Sequence, residues 1–135
     1  MVSMIATYIG EKRCRAEHGP SKTILETDAP KDNQGRGESF SPTDLVATAL
    51  GTCILTTLAI VAERDKVDIK NSKMSVEKEM NANPRRISSL KVIIELPKSI
   101  PEDYRRKLEA AGHACPVKKS LHPDVNAPVE YRFVL

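Results

Sequence analysis

The sequence predicts one α+β domain, with helices set against antiparallel sheet. Three observations predict it. Short alternating strands stand at both ends of the chain, an uncharged run from Leu45 to Ala62 fills the middle, and Leu90, Val92, Ile94 and Leu96 alternate cleanly. At 135 residues the chain is long enough for a single domain with a real core, spanning residues 1–135.

Met4 to Ile9 reads as a first strand ending at Gly10-Glu11. Lys12 to His18 alternates weakly, and Thr23 to Thr27 follows a Gly19-Pro20 turn, which suggests an antiparallel meander. Residues 28–40 are rich in Asp, Asn, Pro and Gly and should be a loop. Ser41 then starts the main helix. Its hydroxyl can cap backbone amides, Pro42 suits the first helical position, and Asp44 completes an S-x-x-D capping box. The helix is apolar nearly all round, so it needs cover on several sides. That demand hints at a dimer.

A hairpin at Asn83-Pro84 should join a strand carrying Met74, Val76 and Met80 to the clean Leu90–Leu96 strand. Ser99-Ile100-Pro101-Glu102 reads as a second capping box, opening a helix with Tyr104, Leu108 and Ala111 on one face. Gly112 ends that helix. Cys115-Pro116 opens a short third one, and Val125 to Phe133 alternates as the last strand.

Composition narrows the function. There is no Trp, with two Phe and three Tyr, so a nucleic-acid reader that stacks bases on aromatic faces is not expected. Net charge is a mild +3, with 21 basic residues interleaved among 18 acidic ones. The uncharged run sits at the short limit for a membrane span and carries several threonines, so a buried helix is the expectation. Three cysteines do not make a disulfide scaffold. With no secretory leader in view, they point to a reducing cytoplasm, where a thiol pair is catalytic or sensing.

The thiols are the candidate chemistry. Cys115 precedes Pro116 at a helix start, where free amides and Lys118 and Lys119 would lower its pKa; the bland alternative is a buried capping residue. Cys53 lies about three turns into the apolar helix, where burial favours an inert thiol unless a cation stabilises its thiolate. The helix offers none, which leaves Arg13 and Arg15 on the early strand. Cys14 reads as a half-buried strand residue. His18, His113 and His122 form no metal-ligand spacing, and no phosphate or dinucleotide loop is present.

Ser41-Pro42-Thr43-Asp44-Leu45, then Cys53, and later Cys115-Pro116-Val117 resemble the OsmC/Ohr family of thiol peroxidases, in an OsmC-like branch. The order of strands and helices agrees along essentially the whole chain. The resemblance implies an intertwined homodimer, with antiparallel sheets wrapped around central helices and the N-terminal strands of residues 1–40 contributing to the pairing. It implies that Cys53 attacks a small apolar hydroperoxide and that Cys115 resolves the sulfenic acid as a disulfide. An external dithiol of the dihydrolipoamide kind would reduce that disulfide, with no bound cofactor and no metal. Arg13 or Arg15, which share a parity, would hold the thiolate. Peroxidatic relatives carry a Glu ten residues before the helix cysteine; here Thr43 stands there, with Asp44 the next residue. Asp44 is thus a candidate for the arginine's partner, and Asp44, His18 or water is the candidate proton donor to the alkoxide. Beside this stands a non-enzymatic reading, a redox sensor or apolar-ligand binder with little peroxidase activity.

Overall fold

A computed structural model describes all 135 residues, and the chain forms two compact units, Met1–Val46 and Ala47–Leu135. In the first, β1 (Met4–Gly10), β2 (Arg13–His18) and β3 (Ile24–Asp28) make the expected antiparallel meander in the order β1-β2-β3. The register sets Arg13 opposite Asp28, and Arg15 between Thr7 and Glu26. Glu11 and Lys12 turn the first hairpin with φ of 54° and 62°, the pair of left-handed residues that a two-residue turn of matching twist requires. Beyond β3 a loop with one 3-10 turn (Lys31–Asn33) leads to Phe40, whose carbonyl accepts the Asp28 N–H at 3.1 Å.

Helix α1 covers Pro42–Arg64 and begins as its sequence dictates. The Asp44 N–H donates to Ser41 Oγ at 3.1 Å, and the Ser41 N–H donates to Asp44 Oδ2 at 2.9 Å. The capping box is closed in both directions.

In the second unit the body of α1 buries Ala47, Leu50, Ile54, Leu58 and Ala62, a stripe at helical spacing. Leu50, Ile54 and Leu58 have no exposed surface, and each contributes about 1.5–3 kcal/mol by its burial. Although α1 is long and apolar enough to cross a membrane, this stripe belongs to the same core cluster as Leu90, Val92, Ile94 and Leu96. Ile60, away from the stripe, is 63% exposed. Gly51 lets α1 pack closely on Met74: a Cβ there would lie 2.6 Å from Met74 Sδ, so the Met74 side chain would have to shift.

Strands β4 (Lys73–Ala82) and β5 (Arg85–Leu96) form the expected hairpin across Asn83-Pro84. Met74 faces Ile94 and Val76 faces Val92, so both strands turn alternate residues to the core. Helix α2 (Glu102–Gly112) buries Leu108, with Tyr104 and Ala111 half-buried on the same face. Helix α3 (Pro116–Ser120) follows, and β6 (Val129–Phe133) closes the sheet in the order β4-β5-β6.

Three expectations need correction. The second sheet is mixed, because β6 pairs with β5 in parallel. Two helices lie between those strands, and a helical crossover returns the chain to the sheet in its original direction. The last strand starts at Val129, although the preceding segment already tracks β5 through Leu90 N–H to Asn126 O at 2.8 Å and Val92 N–H to Pro128 O at 2.9 Å. Pro128 has no N–H to extend the ladder upstream. The second capping box does not form. Helix α2 is preceded by Pro101 with no side-chain cap, so Ser99 falls two residues short of the capping position.

Candidate active site

Cys53 rides on α1 and is half-buried, packed against the core cluster. Cys115 is completely buried and occupies the position just before α3. Pro116 gives that helix its first residue without wasting an amide donor, and the Lys119 N–H donates to the Cys115 carbonyl at 3.2 Å. The Cys115 sulfur then accepts the Lys118 N–H at 3.4 Å. Both thiols are free, and Cys53 packs against the core cluster to which Cys115 belongs. Two thiols 62 positions apart in sequence are therefore brought together.

The expectation that the helix end would acidify Cys115 is overturned. Burial pushes its thiol above the ordinary value, and the neighbouring Cys53 adds to the rise. The amides of Lys118 and Val117 pull in the opposite direction and are outweighed. A helix of five residues has little dipole to offer, whereas a sulfur without water contact loses all hydration of its charged form.

Tyr131 of β6 closes this side of the unit. Its hydroxyl donates to the Glu109 carbonyl at 3.4 Å, and burial, with Glu109 and Cys115 nearby, pushes its pKa up to about 12. Gly112 makes room for it, since a Cβ there would come within 1.9 Å of the phenolic oxygen.

In the N-terminal unit the two candidate arginines differ sharply. Arg13 Nη2 contacts Asp28 Oδ2 at 3.4 Å and also pairs with the Glu38 carboxylate. Asp28 has only 1% of its surface exposed, and the same Oδ2 accepts the Glu38 N–H at 3.0 Å. That amide bond leads, ahead of the Arg13 charge, in lowering the Asp28 pKa. Arg15 is exposed and lines a small recess of about 160 Å³ with Ile5, Thr7, Glu17 and Ile24. Asp44 Oδ2 accepts the Ser41 N–H of the α1 cap, and Thr43 Oγ1 lies 3.1 Å from Ser41 Oγ. His18 Nδ1 is engaged by Ser21 Oγ at 2.6 Å.

Sequence reasoning missed Asp28 and Glu38 as partners of Arg13. Asp28 was findable: an aspartate ending the third strand of a meander falls opposite the start of the second once the turns are counted. Glu38 lies in an irregular loop and left no periodic signal. No group of three or more His, Cys, Asp or Glu side chains gathers to suit a metal ion.

Residues 35–130 match the family model for OsmC-like proteins, and the chain belongs to the OsmC-like family. It is similar to the crystal structure of a candidate osmotic stress induced and detoxification response protein from Psychrobacter arcticus 273-4. That likeness has 39% identity and a TM-score of 0.92, covering 98% of this chain and 96% of the other. It shares its fold with an organic hydroperoxide resistance protein OsmC from Legionella pneumophila, at 19% identity and TM-score 0.74, covering 98% and 96% of the two chains. A third likeness is an organic hydroperoxide resistance protein from Elizabethkingia anophelis, at 15% identity and TM-score 0.76, covering 98% and 95%. No curated protein matches by sequence.

Proposed function

We propose that this chain is a thiol-dependent reductase of organic hydroperoxides, acting through Cys53 and Cys115. The observation that carries the reading is the adjacent pair of free thiols, one half-buried and one sealed from water. The names of the Legionella and Elizabethkingia relatives, both organic hydroperoxide resistance proteins, support the substrate class. In this reading the Cys53 thiolate attacks the outer peroxide oxygen, the O–O bond breaks, and Cys53 becomes a sulfenic acid while an alkoxide leaves. Cys115 then attacks the Cys53 sulfur, forming a disulfide and releasing water, and an external dithiol restores both thiols.

Arg13, rather than Arg15, is the proposed thiolate partner. A guanidinium braced by two carboxylates is already ordered, whereas an exposed one must be ordered at a cost. The working form is proposed to be a homodimer. Met4, Ile5, Tyr8, Ile9, Ile24 and Leu25 of the first sheet, and Ile60 of α1, are all exposed in a single chain.

One observation favours the second reading, a slowly reacting redox sensor. The position ten residues before Cys53 holds Thr43 beside Ser41, and the Asp44 carboxylate is drawn into the helix cap. Steady-state assays with dihydrolipoamide separate the two. Turnover of cumene hydroperoxide at 1 s⁻¹ or faster, on the order of ordinary enzymes, supports the reductase. A single slow oxidation per chain, without turnover, supports the sensor.

A further inference from the structure

The reaction proposed above needs a proton for the departing alkoxide, and the residues that sequence reasoning offered for it are otherwise engaged. Asp44 closes the α1 cap, and His18 is held by Ser21 within its own turn. In the C-terminal unit the Tyr131 hydroxyl already donates its proton to the Glu109 carbonyl at 3.4 Å. His113, two positions before Cys115, is exposed.

We infer that Cys115 acts twice, first as the proton donor to the alkoxide leaving from the peroxide and only then as the resolving nucleophile. The inference rests on the reductase reading. Cys115 is fully buried, so its thiol exchanges protons with its neighbours rather than with water. Its sulfur accepts the Lys118 N–H at 3.4 Å, and Cys53 packs against the same core cluster that holds Cys115. In the proposed reaction the sulfur without water contact is the one that keeps its proton, so the Cys115 S–H is the donor beside the Cys53 chemistry. Burial pushes the Cys115 pKa up, which keeps it protonated until a strong base is generated beside it. An alkoxide is such a base.

The steps balance. The Cys53 thiolate forms an S–O bond as the O–O bond breaks, which oxidises that sulfur and reduces the peroxide. The alkoxide takes the Cys115 proton and leaves as the alcohol. The Cys115 thiolate now stands where the Lys118 N–H already meets its sulfur. It attacks the Cys53 sulfenic acid, the S–S bond forms, the S–O bond breaks, and hydroxide leaves to take a proton from solvent. Two thiols and one hydroperoxide give one disulfide, one alcohol and one water. Cys115 is thereby turned into a nucleophile only when there is a sulfenic acid to attack.

The test is the rate of Cys53 oxidation under single-turnover conditions, read by intact mass as loss of free Cys53 thiol: as the disulfide in wild type and as the dimedone-trapped sulfenic acid in the Cys115 variants. It compares wild type, Cys115→Ser and Cys115→Ala, each with cumene hydroperoxide and with peracetic acid. Acetate needs no proton to leave, so peracetic acid bypasses the donor. Cys115→Ala should oxidise Cys53 about a hundredfold more slowly with cumene hydroperoxide, the size of a lost general acid, and at the wild-type rate with peracetic acid. Cys115→Ser, which keeps a hydroxyl donor, should fall between wild type and Cys115→Ala with the alkyl peroxide. Equal slowing of Cys115→Ala with both oxidants would mean a merely structural role and overturn the inference. An unchanged rate with both would overturn it as well. If wild-type Cys53 reacts with neither oxidant, the reductase reading itself falls, a failure told apart by the wild-type trace alone.

Discussion

Each unit of the chain is built on a three-stranded sheet, and the two sheets manage their apolar residues in opposite ways. In the β4-β5-β6 sheet, Leu90, Val92, Ile94 and Leu96 have no exposed surface. In the β1-β2-β3 sheet the large apolar residues Met4, Ile5, Tyr8, Ile9, Ile24 and Leu25 are all exposed, and the one fully buried side chain is the carboxylate of Asp28. The first arrangement is a finished core. The second is a ladder held by backbone pairing and by the ion cluster of Arg13, Asp28 and Glu38, with its large apolar residues left exposed. The buried apolar residues thus lie after the boundary, and the surface proposed for association lies before it. Residues after 47 hold the core and the thiol pair, while residues before 46 carry the exposed apolar strands and the braced arginine.

The largest effect should come from the finished core. Leu96→Ala is expected to cost about 2–5 kcal/mol of folding stability, as buried leucine truncations do. The loss should be the same at every protein concentration in denaturant titrations. Leu25→Ala should behave differently, with a loss that shrinks as the protein is diluted, because its burial is proposed to come from a second copy.

Next comes Gly112→Ala. The new methyl meets the Tyr131 hydroxyl, and overpacking of this kind costs about 1–3 kcal/mol. Tyr131→Phe in the same chain removes the clashing oxygen and should restore part of the loss, a coupling that a double-mutant cycle would measure.

The third prediction tests the exposed sheet directly. Leu25→Lys places a charge on the apolar strand, and sedimentation should show association weakened by about 1–3 kcal/mol, the scale of one buried leucine. A wild-type protein that stays monomeric at all concentrations would contradict the proposed dimer.

The smallest effect concerns acid. The Glu38 amide and the Arg13 charge hold the Asp28 carboxyl below 3.8, its ordinary value. Its contribution is therefore present above the unfolded-state pKa and is lost as pH falls through the lower folded-state pKa. Asp28→Asn should be less stable than wild type at neutral pH, and the gap should narrow as the solution is acidified below about pH 4. A gap that stayed constant down to pH 2 would mean that Asp28 acts only by shape.

Local signals with one interpretation were legible in the sequence. The Ser41–Asp44 box closes as drawn, and the alternation from Leu90 to Leu96 lies on the core face. The early meander could be read because its turns are short. The parallel entry of β6 was hidden because alternation reveals which face a strand buries and says nothing of its direction. Ser99 misled because an S-x-x-E spacing survives even when Pro101 and the chain before it push the helix start two residues later. At the site, residue types and order were enough to single out Cys53 and Cys115. The balance of forces on Cys115 was not readable, because a sequence shows the amides at a helix end but not the absence of water around the sulfur. The choice between Arg13 and Arg15 was likewise invisible. Both share a parity, and only the contacts of Asp28 and Glu38 distinguish them.

The most direct test of the thiol pair is peptide mapping after one equivalent of cumene hydroperoxide, read within seconds by mass spectrometry under non-reducing conditions. The account predicts a single new disulfide linking Cys53 to Cys115, with Cys14 still a free thiol, and no such linkage in Cys53→Ser. Intact thiols at both positions after many minutes, or a disulfide that recruits Cys14 instead, would contradict it.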